Sequence, residues 1–382
     1  MASSRHHARP SEPAADVLTS LPAHLLDGIL TRLDLRDTVR TSALSRAWRR
    51  RWEALPYLSL AFLDNPRTPP AAVDSVLLRY PGHISHFSFQ LDEHSVGRVA
   101  DWLIALCNRG VKSINLQHSP SLAIFVCGFA LHSSVFLCTQ LVYLELHFCR
   151  IPPLPVGFIG FPVLEELKLY AAQFPENGEG QLEAILDASP LLNTLNLSFS
   201  TIDLENYVSS GNFEGFIARF AQVRKLILHT SYPPPPLTNG YLMETLPCMF
   251  NNLKSLVLWT HFFERPAILS TFCLLTNAPN LEELEITIAR GGEEEIEANA
   301  VYQNTQLTDA FCAKLQVVKI DGFGWFPNEM CFIELVLSKA IVLLTMRLGF
   351  ISLKSNKDAL CELMTYRRAS PHAQVFYNGE MQ

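Results

Sequence analysis

Along most of the chain, apolar residues recur in one short pattern, an aliphatic or aromatic position followed three and five residues later by two more. It reads Ile84/Phe87/Phe89, Val111/Ile114/Leu116, Leu141/Leu144/Leu146, Leu164/Leu167/Leu169 and Leu192/Leu195/Leu197. It continues as Val223/Leu226/Leu228, Leu253/Leu256/Leu258 and Leu281/Leu284/Ile286, with weaker copies at Leu315/Val318/Ile320 and Leu343/Met346/Leu348. Leu55/Leu58/Leu60 is a candidate leading copy. Positions two apart in a strand face the same side, so the last two members of each triad point together into a core. Segments between triads carry helical spacing: Val99 to Leu106, Gln181 to Ala188 and Phe213 to Phe220. Ser189-Pro190 and Ala278-Pro279 place proline where a helix should stop before the next strand. Strand, loop and helical return in each unit predict a parallel sheet.

From Phe89 to Leu348 the last triad position steps by 23 to 34 residues. That period, with this triad, is the signature of a degenerate leucine-rich-repeat solenoid, in which each unit buries its apolar face only against its neighbours. The competing arrangement, a doubly wound α/β domain, requires no fixed triad, and no glycine-rich phosphate loop follows any strand.

Residues 16–56 follow another rhythm. Leu25, Leu26, Ile29, Leu30 and Leu33 mark an amphipathic helix, with Pro22 in its opening turn. A second helix is expected from Asp34, a good cap, through Val39 and Ala43. A third is expected from Ser45, with Trp48, Trp52 and Leu55 on one stripe. Three helices in about 40 residues make a small core, so some apolar surface is left for a partner. Arg46, Arg49, Arg50 and Arg51 read as a solvated helix face rather than a nucleic-acid or nuclear-import site.

Leu21-Pro22, the aliphatic helix behind it, Ser42-Ala43-Leu44-Ser45-Arg46-Ala47-Trp48-Arg49 and then Trp52 resemble an F-box. The resemblance implies binding to a Skp-type adaptor and, through it, to a cullin in an SCF-type ubiquitin ligase. It makes Leu21, Pro22, Leu26, Ile29, Leu30, Val39, Leu44 and Trp48 candidates for the adaptor interface, without separating interface from internal core. Residues 313–382 include Leu315-Gln316-Val317-Val318-Lys319-Ile320-Asp321-Gly322-Phe323-Gly324 and Tyr366-Arg367-Arg368-Ala369-Ser370-Pro371. They are similar to the FBD region of plant F-box proteins. A helix from Lys357 to Arg368 is expected over the solenoid's open end, with a final edge strand from Ala373 to Tyr377.

The expected architecture is therefore α/β: a tail (1–15), a three-helix F-box (16–56), a leucine-rich-repeat solenoid (57–312) with its parallel sheet on the concave face, and an α/β FBD-like cap (313–382). Composition fits this. Of 382 residues, 48% are hydrophobic and 18% charged, with a net charge of −7, which favours a globular chain and disfavours nucleic acid as the main partner. Nine cysteines without a CxxC pair read as reduced thiols. No secretory leader or membrane span is apparent, so cytoplasm or nucleus is expected.

Catalytic motifs (GxxxxGK[ST], HExxH, GxSxG) are missing, so no enzyme activity is expected. His147 and Cys149, two apart, would share a strand face, but two ligands are too few for a metal site. No cofactor is expected. Pro233 to Pro236 and Glu293 to Glu295 read as loops. Recognition is expected on the concave face, where strand residues flank the buried pairs. The candidates are Tyr143, Glu145, Tyr170, Lys225, Ile227, His229, Val257, Trp259, Glu283 and Glu285; Trp259, among aliphatic neighbours, is either a binding anchor or covered by the convex helices or the FBD-like cap. The leading reading is an SCF substrate-recognition subunit with an unidentified target protein. The rivals are a repeat scaffold without ubiquitin transfer and a small-molecule co-receptor with a pocket at Lys225, His229 or Trp259.

Overall fold

The computed structural model describes residues 21–46, 48–63, 68–118, 128–175, 179–198, 218–229, 248–263, 265–289, 311–350 and 357–379. Its strands are β1 (Tyr57–Ala61), β2 (His83–Leu91), β3 (Ser113–His118), β4 (Phe129–Ala130), β5 (Tyr143–His147), β6 (Cys149–Arg150), β7 (Glu166–Tyr170) and β8 (Thr194–Ser198). There follow β9 (Lys225–His229), β10 (Ser255–Thr260), β11 (Glu283–Ile288), β12 (Val317–Phe323), β13 (Thr345–Phe350) and β14 (Gln374–Gly379). The helices are α1 (Ala23–Leu30), α2 (Leu35–Arg40), α3 (Pro70–Arg79), α4 (Val99–Cys107), α5 (Glu179–Asp187), α6 (Arg265–Thr276), α7 (Pro327–Lys339) and α8 (Lys357–Thr365).

All strands but β4 and β6 form one 12-stranded sheet in chain order, and every neighbouring pair is parallel. The triads stack in register. Ile114, Leu144, Leu167, Leu195, Leu226, Leu256, Leu284, Val318 and Met346 sit opposite one another in successive strands, and all are buried. A second ladder runs from Leu146 through Leu169, Leu197, Leu228, Leu258, Ile286 and Ile320 to Leu348. Each fully buried leucine contributes about 1.5–3 kcal/mol, available only because a neighbouring coil covers it.

The repeat has a fourth buried position that the triad did not reveal. From the Leu141 triad onward, three residues before the leading apolar residue lie Cys138, Phe161, Ser189, Phe220, Phe250, Ala278, Cys312 and Ala340, all buried. At each, the carbonyl accepts from the amide three residues on, as in Leu192 N–H to Ser189 O at 3.1 Å and Leu253 N–H to Phe250 O at 3.2 Å. This closed turn aims the chain into the strand, and its small or aromatic residue fills the space beneath. The signal is weak in sequence because the position tolerates both sizes.

Three expectations need correction. The leading copy is out of frame: a bulge between Leu58 and Ser59 sets Leu58 opposite Ile84 and Leu60 opposite Phe87. The helix expected from Ser45 does not form. Arg50 takes a left-handed conformation (φ 59°), leaving turns and a 3-10 segment at Arg51–Ala54, although Trp48, Trp52 and Leu55 are still buried together. At the far end, the expected edge strand forms as β14, paired along β13, but the helix expected to cover the open end, α8, is instead the return between β13 and β14. Of the helix expected over 213–220, only its last residues are described, in and just before a 3-10 turn at Arg219–Gln222. Pro233 to Pro236 and Glu293 to Glu295 lie outside the described residues. Among the described residues no helix is long and apolar enough to cross a membrane.

One glycine is demanded by close approach. Gly160 (φ +90°) faces the side chain and carbonyl of Ala188, where a Cβ would collide with both; that carbonyl also accepts from Phe161 N–H at 3.0 Å. Gly160→Ala should destabilise the protein by about 1–3 kcal/mol, read as a lower urea midpoint with unchanged slope.

Candidate functional site

Two surfaces carry the candidate residues. The first is the N-terminal helical unit. Pro22, which precedes α1, occupies the N-cap position just outside the helix. Asp34 caps α2, its carboxylate accepting from Asp37 N–H at 2.7 Å. Thr38 Oγ1 donates to Leu30 O at 3.1 Å and ties the two helices. Leu26, Leu30, Leu35, Trp48 and Trp52 close the core. Trp52 stacks on Tyr80 (centroids 6.4 Å apart), and the Tyr80 hydroxyl lies 3.0 Å from Leu55 O, so the unit is anchored to the first repeat. Burial pushes the Tyr80 hydroxyl up to about 12, partly offset by Arg109, which keeps it a neutral donor.

The adaptor candidates therefore divide. Leu26, Leu30 and Trp48 are buried and belong to the core, not to an accessible surface; Leu21 and Val39 are half-buried against it. Pro22, Ile29 and Leu44 are exposed. Leu25 and Leu33, absent from the candidate set, are exposed too. Leu25, Ile29 and Leu33 (46%, 39% and 40% exposed) are four apart and so share one face at the end of α1 and the turn beyond it. The faces cannot be told apart in sequence because α1 is apolar on both.

The second surface is the concave side of the sheet. Tyr143, Glu145 and Tyr170 come together there. Glu145 accepts from the Tyr143 hydroxyl and lies 2.7 Å from His147 Nε2. His147 stacks on Tyr170 with centroids 4.2 Å apart. Lys168 Nζ donates to Tyr143 Oη at 3.3 Å and pairs with Glu166 at 2.9 Å. Asn196 Nδ2 donates to the Tyr170 hydroxyl at 2.9 Å, and Ser198 to Asn196. Burial raises the Glu145 carboxyl's pKa. Hydrogen bonds from His147 and Tyr143, with the charges of His147 and Lys168, outweigh this and hold it below the ordinary 4.5. A depressed carboxylate contributes stability that is present above that value and lost as pH falls through the folded one. Glu145→Gln should flatten this acid limb and cost roughly 1–3 kcal/mol near neutrality, measured by urea unfolding against pH.

Beyond this network, Ile227 and Val257 face each other in register and, with Trp259, form a half-buried apolar patch. His229 pairs with Trp259 in the ladder; its side chain lies outside the described residues. Lys225 and Glu283 are exposed at the strand starts. Glu285 is held by Lys319 at 2.9 Å, and Lys319 also meets Asp321 at 2.6 Å. These bonds to Asp321 and Glu285 raise the lysine's pKa, against the opposing effect of burial. Lys319 and Asp321 were missed, although the same register extended one strand further would have found them.

The pairing of His147 with Cys149 fails. Phe148 is left-handed (φ 52°) and breaks the strand between them, so Cys149 turns fully into the core while His147 stays on the concave face. Among the described residues no group of three or more His, Cys, Asp or Glu could hold a metal ion.

Comparison with known proteins adds a family to this geometry. The F-box domain family matches residues 18–59, and the family described as "FBD-associated F-box protein At5g56370, LRR repeats" matches 99–231. The F-box/FBD/LRR-repeat protein At1g13570 of Arabidopsis thaliana is 27% identical across 95% of this chain and 98% of its own. The chain is similar to plant F-box/leucine-rich-repeat proteins of the FBD-associated type. F-box/LRR-repeat protein At4g14103, also from Arabidopsis thaliana, is 31% identical over 47% of this chain and 49% of its own. A solved LRR protein from Leptospira interrogans aligns over 97% of this chain at 12% identity and TM-score 0.35; the sheet itself, not this likeness, establishes the solenoid. F-box domains in general bind Skp1-type adaptors, and F-box/leucine-rich-repeat proteins are generally non-catalytic adaptors. The matched F-box segment holds the exposed α1 face, and the matched repeats hold the Tyr143–Ser198 network.

Proposed function

We propose that this protein is the substrate-recognition subunit of an SCF-type ubiquitin ligase. Residues 16–56 would hold a Skp-type adaptor and through it a cullin, residues 57–312 a target protein, and residues 313–382 complete the solenoid. Chemistry is supplied by other subunits, and this chain contributes proximity. The observation that carries the reading is the exposed face of Pro22, Leu25, Ile29 and Leu33 on a unit whose core is closed elsewhere. Apolar side chains in that arrangement are stable under a partner. On the target side, the hydrogen-bonded network beside the Trp259 patch supplies fixed polar groups next to an apolar anchor. The thiols free among the described residues fit a reducing cytoplasm or nucleus.

The test is affinity capture under proteasome inhibition. The wild type should bring down adaptor, cullin and ubiquitylated targets. Trp259→Ala should keep adaptor and cullin and weaken target capture by about tenfold or more. A wild-type capture containing targets but no cullin would overturn the ligase reading and leave a repeat scaffold.

A further inference from the structure

The F-box carries a charge that the rest of the protein does not. Residues 16–56 hold seven arginines and five carboxylates, +2 in a chain of −7, so the remainder carries −9. Three of the arginines have carboxylate partners: Arg40 with Asp37 at 3.3 Å, Arg50 with Glu53 at 3.8 Å and Arg51 with Asp27 at 3.0 Å. Arg32, Arg36, Arg46 and Arg49 are exposed and have no ion pair among the described residues. Arg32 directly precedes Leu33, at the end of the α1 apolar face, and Arg36 lies one turn further on, so a cationic group adjoins that face. Arg36 and Arg40 are four apart on α2, where like charges repel, and Arg46 and Arg49 add to the same unit. This spacing disfavours the free fold and is relieved by an acidic neighbour.

We propose that the adaptor surface seated on Leu25, Ile29 and Leu33 is flanked by acidic side chains that meet Arg32, Arg36, Arg46 and Arg49, and that this charge accelerates docking. The proposal rests on the adaptor reading above. An acidic protein is favoured over a nucleic acid because the cations adjoin an apolar face, and because the rest of the chain, at −9, repels a polyanion.

The experiment measures association of the full-length protein with a recombinant Skp-type adaptor from about 0.02 M to about 0.5 M salt, a range that shortens the screening length from roughly 20 Å to 4 Å. The wild-type association rate should fall roughly tenfold or more across it, with a much smaller change in dissociation. The variant Arg32→Gln/Arg36→Gln/Arg46→Gln/Arg49→Gln, which removes charge without adding any, should associate roughly tenfold more slowly at low salt and lose most of the salt dependence. Its circular dichroism should match the wild type, and its urea midpoint should be equal or slightly higher, since Arg36→Gln removes a like-charge neighbour of Arg40. Leu25→Ala/Ile29→Ala should instead speed dissociation at every salt concentration. A salt-independent wild-type rate, or a folded Gln variant that associates as fast as the wild type, overturns the proposal while leaving the adaptor reading intact. A DNA or RNA duplex bound through these arginines, with adaptor association unaffected by their loss, overturns it in favour of nucleic acid. Absence of any adaptor binding by the wild type defeats the adaptor reading itself.

Discussion

Leu195→Ala is expected to lower the stability of the whole protein by about 2–5 kcal/mol. Leu195 is fully buried, with Leu167 opposite it in β7 and Leu226 in β9. Parallel pairing fixes the strands on both sides, so the cavity cannot close by local collapse. Most of the cost of the lost methyl groups, and of the void, remains. Leu195→Asp should be far worse, since it places a carboxylate in the ladder without a partner, and no folded protein is expected from it. Urea unfolding followed by circular dichroism gives the number for the alanine variant. Val375→Ala in β14 is the control. Val375 occupies the same ladder position but is only half-buried at the edge of the sheet, and its truncation should cost about 1 kcal/mol or less. Equal losses at the two positions would contradict the stacked-ladder account.

The second large effect separates binding from folding within 20 residues. Leu25→Glu with Ile29→Glu should weaken adaptor binding by at least about a hundredfold while leaving the urea midpoint nearly unchanged, because both side chains already face water in the free protein. Leu30→Ala should do the reverse. Its side chain is fully buried, and its carbonyl accepts the Thr38 hydroxyl. Its loss should cost about 2–5 kcal/mol and reduce adaptor binding only in proportion to the unfolded fraction. Titration calorimetry with a recombinant adaptor, paired with urea unfolding of each variant, resolves the two classes. Loss of stability in the double Glu variant would show that the α1 face is packed and not available to a partner.

The sheet was legible because its signal is periodic and redundant. A buried strand pair two residues apart, repeated at intervals of 23 to 34 residues, cannot be satisfied except by stacking, and the ladder from Ile114 to Met346 follows. What the pattern could not carry was local backbone conformation. Arg50 and Phe148 adopt positive φ without being glycine; one ends the expected third helix and the other separates His147 from Cys149. The bulge after Leu58 shifts the first strand for the same kind of reason, since the apolar spacing is intact and only the pairing slips. In the candidate sites, the concave residues were readable by alternation alone, which placed Tyr143, Glu145 and Tyr170 on one face. The contacts that tie β5 to β7, Lys168 with Tyr143 and His147 against Tyr170, cross between strands, and a linear pattern does not encode those. The α1 face was the hardest case. Leu25, Leu26, Ile29 and Leu30 have the same chemistry, and only the positions of Trp48 and Thr38 decide which of them turn inward.

The most direct measurement is amide hydrogen exchange of the full-length protein with and without a saturating Skp-type adaptor. Added protection is expected over residues 22–33, with strands β5 to β10 unchanged and free for a target. Protection of β5 to β10 with none over 22–33 would contradict the division of labour between the helical unit and the sheet.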